Sequence, residues 1–392
     1  MVHSIFLALQ YLKYRWGKTI LLILAISLVL FIPMGLNILT NQGSEKLTRR
    51  AMDTPLLIGS LGSQTELVLS TLYFKEPKIS SFSYKKVNDL KNTNLAHVIP
   101  VHMRYQVRDY RIIGTSSDYF TFRQLKLESG RVMTMLGECI LGATVAKKLN
   151  KSVGDFVISS PAGAFDVAGS YPLKMKITGI LEPSQTKDDE VVFTDIKTSW
   201  VISGLAHGHQ DVKVVTNDSL LLSKTNSNAV VSPALLSYTE ITADNIDSFH
   251  FHGNPESFPV DAMIAIPKDK KSGLMLRGRF ETNPSDLQIL VPKLIIDNLI
   301  NTVVSVKNIV ILTAIIIGFA TTIILILVFA LSIQLRHQEI KTLRYIGAEK
   351  RRINQILGIE ILLTLILGLL LAVILSFSLK YFGLNLIDNF IS

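Results

Sequence analysis

Leu335-Arg-His-Gln-Glu-Ile-Lys-Thr-Leu-Arg-Tyr-Ile-Gly-Ala-Glu-Lys-Arg-Arg-Ile353 decides how this chain is read. It carries six Lys/Arg against two Glu, between two long apolar runs, in a gap too short for a domain. Positive charge beside apolar runs marks the cytoplasmic flanks of membrane helices. Ile340, Leu343 and Ile346 form one apolar stripe at helical spacing. Gly347 interrupts that pattern, as a helix–turn–helix elbow requires, either for a positive φ or for close packing. The stripe seats in a groove on a partner or rests on the lipid interface; composition leaves both open.

Outward from this loop, residues 309–335 and 355–378 read as membrane spans, long enough to cross ~30 Å of hydrocarbon. Upstream, Lys293, Asp297 and Lys307 put residues 293–308 outside the membrane as a stalk. With no Gly or Pro from 293 until Gly318, stalk and span are expected as one helix of about 65 Å. At the other end, residues 1–18 form an interfacial amphipathic helix, anchored by Trp16, Lys13, Arg15 and Lys18. Residues 19–40 are uncharged and longer than the ~7–15-residue core of a signal peptide, so they are expected to be an uncleaved first span, kinked by Pro33. Lys13, Arg15 and Lys18, and Lys350, Arg351 and Arg352 in the loop 336–354, place both clusters in the cytoplasm. Residues 41–302 and the short tail 379–392 are then outside. The fold class is an α-helical membrane protein of three spans, with a large extracytoplasmic α/β (α+β) domain of two lobes between spans 1 and 2.

That domain alternates strand-like and helix-like stretches. An inner α/β lobe, 41–114 plus 258–292, is expected from strands near 56, 97–107, 110–114, 262–267 and 287–291, with helices near 83–91 and 268–280. A β-rich lobe, 115–257, is inserted in it: strands near Cys139, 153–158 and 175–181, a helix at 143–149, and a β pattern continued by 191–193 and Trp200-Val-Ile.

The 392 residues are 48 % hydrophobic, with a mean hydropathy of +0.37 and a net charge of +9. The charge sits beside apolar segments, so it reads as attraction to anionic lipid and not to nucleic acid, for which no readout motif is present. The single Cys139 rules out an intramolecular disulfide. No G-x-x-x-x-G-K-[ST], G-x-S-x-G, H-E-x-x-H or C-x-x-C occurs, so this chain has no motif of an enzyme or nucleotide site. Asp188-Asp189-Glu190 reads as a solvated turn. Two His-x-His pairs, His207/His209 and His250/His252, would each present two imidazoles to one divalent ion if on strands; Gly208 and Gly253 suggest exposed turns instead. Glu360, at the cytoplasmic end of the third span, is expected to pair with a basic neighbour or to snorkel to the interface.

The pattern Arg336-x-x-Glu339-Ile-x-x-Leu343-Arg-x-Ile-Gly347-Ala348-x-x-Arg351-Arg-x-Ile…Glu360 resembles the cytoplasmic signature of MacB/FtsX-type ABC transporter permeases, the type VII, mechanotransmission family. Upstream, Ile113-Gly114-Thr-x-x-Asp118-Tyr-Phe120, Leu127-x-x-Gly130-Arg131, Leu141-Gly-x-x-Val-Ala-x-x-Leu149, Val153-Gly154-Asp155 and Ile177-Thr-Gly179-Ile180-Leu resemble that family's periplasmic core domain. The resemblance implies a permease of the bacterial inner membrane, working as a homodimer or heterodimer with a separate cytoplasmic P-loop ATPase. It implies no cofactor in this chain, ATP and Mg being bound by that partner, and allows a periplasmic adaptor protein. Glu339, Leu343, Gly347 and Ala348 carry over to the ATPase-facing elbow, with Ile340 and Arg344 beside them; residues 4–15 carry over as a second contact. Substrate would be exported or extracted at the outer face: a lipoprotein, peptide, glycolipid or small toxic compound. The other readings are a relay to an outside enzyme such as a cell-wall hydrolase, and a membrane-anchored sensor. The family's four spans set an expectation that this sequence, with three before Ser392, does not meet.

Overall fold

The computed structural model describes residues 2–160, 172–208, 221–225, 228–231, 239–282 and 286–391. It divides into two compact units, 1–49 with 297–392, and 50–296.

In the first unit, among the described residues, three helices are long and apolar enough to cross a membrane: Trp16–Met52, Pro292–Leu335 and Lys350–Tyr381. Such runs are apolar all round, as lipid-exposed helices must be. Two hydroxyls of the second helix are satisfied within it, Thr313 Oγ1 on the Ile309 carbonyl at 3.0 Å and Thr321 Oγ1 on that of Ile317 at 2.8 Å. The first and third helices approach closely where Gly368 meets Ile26; a Cβ on Gly368 would stand 2.6 Å from Ile26 Cγ2. The amphipathic helix Val2–Tyr14 buries Ala8 and Leu12 and packs on the third helix.

Two expected boundaries move and one expected continuity is found. The first helix passes residue 40 and runs unbroken, Pro33 included, to Met52. Stalk and second span are a single helix, Pro292–Leu335, as its uninterrupted pattern suggests. Residues 379–391 do not form a separate tail but prolong the third helix to Ile391.

The second unit is built on one sheet. Its strands run in the order Thr239–Glu240, Leu173–Leu181, Glu138–Leu141, Val192–Asp195, Tyr110–Thr115, Ala96–Val107, Ala262–Pro267, Leu56–Ser60 and Leu287–Leu290. Leu127–Gly130 and Phe156–Ile158 also pair with Leu173–Leu181. Alternation sets the register: Leu57 lies opposite Ile264 and Leu290, and these fully or nearly buried residues share a face. The expected inner and inserted segments join through a parallel pair, Ile112 opposite Val192. The two expected lobes are therefore two apolar cores on one continuous sheet. One gathers Ile58, Val98, Trp200, Val260 and Met263; the other gathers Ile112, Cys139, Met175, Ile177 and Val192.

Two elements differ from expectation. Trp200-Val-Ile belongs to a helix, Ile196–Ile202, not a strand; Asp195 caps it, its carboxylate accepting from the Lys197 N–H at 2.9 Å. Residues Gln64–Tyr73 form a helix that periodicity did not reveal, capped by Ser63, whose Oγ accepts from the Glu66 N–H at 3.3 Å.

Candidate coupling site at the cytoplasmic elbow

The second helix ends at Leu335, and Arg336 leaves the helical region at φ −91°, ψ 8°. A short helix, His337–Tyr345, follows. It stops in a two-bond cap: the Gly347 N–H bonds the Arg344 carbonyl and the Ala348 N–H bonds that of Leu343, both at 3.0 Å. That cap needs a left-handed residue, and Gly347 supplies it at φ 99°. The third helix then starts at Lys350. The expected elbow is present, and Glu339, Ile340, Leu343, Arg344, Gly347 and Ala348 all lie on it.

The short helix buries none of its residues. Leu343 is exposed, and Tyr345 and Ile346 are 80 % and 79 % exposed, large apolar groups with no cover inside the chain. Ile340 is only partly covered. Glu339 and Arg344 are exposed beside them.

The root of the elbow is tightly held instead. Arg336 Nη1 bonds Glu360 Oε2 at 3.0 Å, and its Nε reaches Glu339 Oε2 at 3.3 Å. Its guanidinium lies 3.4 Å from the centre of the Tyr11 ring. Lys18 Nζ bonds Ser332 Oγ at 2.7 Å and stands 3.9 Å from Glu360 Oε1. Glu360, only 4 % exposed, thus faces two cations. Its partners come from the N-terminal residues and the end of the second helix, not from the neighbouring Arg352, which is exposed with Lys350 and Arg351. Lys18 is more than a membrane flank, while Lys13 is exposed and Arg15 partly covered over the Tyr11 ring, at 5.9 Å. Arg336 opens the quoted signature but was given no role there, and Tyr11 was not singled out; the aromatic beside the N-terminal cations was the available signal.

In the outer unit, strand Phe249–Phe251 pairs with Ala206–Gly208, so the His250 and His207 backbones are opposite each other. The His250 and His252 rings are 4.7 Å apart, centre to centre. His209 lies outside the described residues. Among the described residues no group of three His, Cys, Asp or Glu is placed to hold a metal. The carboxylate run is a correction: Asp188 is 1 % exposed and Asp189 is buried too, so the turn is not solvated. Asp189 turns inward to accept from the Ser184 and Gln185 N–H groups, and Asp188 meets Arg50.

Residues 19–230, more than half of the chain, match the model of the MacB-like periplasmic core domain, and residues 311–391 match the FtsX-like permease C-terminal model. The chain is a MacB/FtsX-type ABC transporter permease. The elbow and Glu360 lie inside the part matched by the FtsX-like model. Permeases of this type are membrane-embedded, carry a periplasmic domain and work with cytoplasmic ATPase partners. Similar solved structures include the periplasmic region of MacB from Actinobacillus actinomycetemcomitans, 12 % identical with a TM-score of 0.36, covering 65 % of this chain and 97 % of that one. The extracellular domain of the noncanonic ABC-type transporter YknZ from Gram-positive bacteria is 12 % identical with a TM-score of 0.33, covering 60 % and 98 %. No curated protein matches the chain.

Proposed function

We propose that this permease, in the bacterial inner membrane, takes its energy from a separate ATPase that docks on the His337–Tyr345 helix. The ATPase pair binds ATP and Mg; two permease chains sit above it. Its closure shifts the elbow, and the second helix carries the shift to the outer domain, which exports or extracts substrate. The observation that carries this reading is the contrast within the elbow. The helix buries no residue, while its root at Arg336 is bonded to Glu360, Glu339 and the Tyr11 ring. An exposed apolar face on a rigid root suits a surface that is pushed. A face meant only for lipid has no need of a buried ion pair behind it. The Pro292–Leu335 helix supports the relay, since its 44 residues make about 65 Å of continuous rod.

The test is co-purification with a P-loop ATPase, whose gene is expected beside the one for this chain. Leu343→Pro breaks the helix and Arg344→Glu reverses its charge; each is expected to abolish co-purification while the chain remains in the membrane. Undiminished recovery of the ATPase with both variants would refute the proposal.

A further inference from the structure

The helix that starts at Trp16 does not end at the limit of its apolar run; it continues to Met52, and from Arg50 onward it belongs to the outer unit. There its last turn is bonded through both side chain and main chain. Arg50 Nη1 meets Asp188 Oδ2 at 2.5 Å, and Nη2 meets Asp188 Oδ1 at 3.0 Å and the Tyr119 hydroxyl at 2.9 Å. The Tyr119 hydroxyl donates to Asp188 Oδ1 at 2.8 Å, and the Thr186 hydroxyl donates to Oδ2 at 2.9 Å. The Phe74 ring lies 5.2 Å from the guanidinium carbon. The Arg50 carbonyl accepts from Thr54 Oγ1 at 2.9 Å, and Thr54 Oγ1 in turn accepts from Arg123 Nη2 at 2.9 Å.

Two features set this cluster apart from ordinary core packing. Arg50 and Asp188 are 138 residues apart, and the partners lie in the 3-10 turn Lys187–Glu190 and the helix Asp118–Arg123. The helix end is thus tied to the middle of the domain sequence, past the strand Leu56–Ser60 that follows it directly. The turn that holds Asp188 is itself fixed: a Cβ on Gly142 would stand 2.4 Å from the Asp188 carbonyl oxygen, so backbone lies directly on backbone. Second, the chemistry is wrong for stability alone. A desolvated ion pair is matched or bettered by apolar groups of the same volume, but a two-pronged charged pair has one geometry, whereas apolar contacts slide.

We infer that Arg50, Asp188 and Tyr119 form a fixed joint that fastens the outer end of the first spanning helix to the 115–195 part of the outer domain. Movement of that helix is then handed to the domain at a defined point. The handing-over rests on the coupling proposed above; the fastening does not.

The experiment uses the full-length chain in detergent and amide hydrogen exchange. In Arg50→Met/Asp188→Leu both members of the ion pair are removed together, so neither is left buried without the other, and Arg123 keeps its bond to Thr54 Oγ1. Exchange over residues 44–52 is expected to speed up about tenfold, with residues 96–115 and 173–181 unchanged. Tyr119→Phe, which loses only a hydroxyl, is expected to give a smaller acceleration confined to the same residues. Protection of 44–52 equal to that of the native chain in both variants would overturn the joint. In the complex with its ATPase, adding ATP should alter protection in the native outer domain and alter it less in the double variant, where the second helix alone carries the shift; an equal response in both would overturn the handing-over at this joint. No response in the native complex, with 44–52 loosened in the variants, would fault the coupling reading and uphold the fastening.

Discussion

Arg336 holds two carboxylates and an aromatic ring at one break in the chain, and Glu360 answers with two cations. Removing one partner leaves the other charge buried; Arg336→Ala is expected to cost about 3 kcal/mol, whereas Arg336→Met/Glu360→Leu costs less than either single change. Thermal melting of the full-length chain and its three variants measures that cycle; additive costs would mean the pair is not coupled. Asp188 shows a different dependence. Burial pushes its carboxyl up, but the charge and hydrogen bonds of Arg50, joined by the Arg123 charge and the Tyr119 hydroxyl, outweigh burial and hold it below the usual carboxylate range. A group depressed in the folded state stabilises fully above its unfolded pKa, about 3.9, and that contribution is lost as pH falls through the folded value. The outer domain should therefore melt earlier as pH drops below about 4, and Asp188→Asn should flatten that dependence; an unchanged acid slope in the variant would place the titration elsewhere. At this scale the sequence misled. Asp188-Asp189-Glu190 has the composition of a solvated turn, and the arginine that buries Asp188 is 138 residues away, beyond any local pattern.

At the scale of elements, the elbow's direction depends on one glycine. Gly347 sits at φ 99° in open space, so a side chain there meets backbone strain and no clash with neighbours. Gly347→Ala should cost about 1 kcal/mol, and Gly347→Val more, because a β-branched residue tolerates positive φ least. The readout is coupling more than melting: the turn can reopen at little expense in stability, but Lys350 would then leave the short helix at another angle. ATPase recovery should fall in the order Gly, Ala, Val at position 347, and equal recovery for all three would contradict the role given to the turn. Elements of this kind were legible because single residues announce them. The elbow followed from charge, stripe and Gly347, and the rod from its unbroken apolar pattern. Strands such as Ala96–Val107 and Ala262–Pro267 followed from alternation and β-branched residues. Helix Ile196–Ile202 was misread because Trp200-Val-Ile has strand composition; the capping Asp195 was the overriding signal. Helix Gln64–Tyr73 was missed although Ser63-x-x-Glu66 spells a capping pair.

For the whole molecule, the sequence marked the three long apolar helices but not the interior of the outer domain. Hydropathy and charge act over whole segments and need no partner, whereas the pairing of Tyr110–Thr115 with Val192–Asp195 joins strands some 80 residues apart through registers that no local pattern fixes. Charge also assigns sides, and this assignment can be tested with one thiol at a time. The native Cys139 is fully buried and burial pushes its thiol up, so it should stay unlabelled and serve as a silent background. Leu274, exposed on the helix Lys270–Thr282, and Tyr345 on the elbow give accessible positions in the two units. With a membrane-impermeant maleimide, Leu274→Cys should label in spheroplasts and Tyr345→Cys only in inverted vesicles. Labelling of Tyr345→Cys from outside would reverse the orientation and remove the elbow from reach of any cytoplasmic ATPase. Given the assigned orientation, a docked ATPase should shield Tyr345→Cys in inverted vesicles and leave Leu274→Cys in spheroplasts untouched. Only a partner seated on the elbow itself predicts that asymmetry; a general change in membrane or fold would alter both.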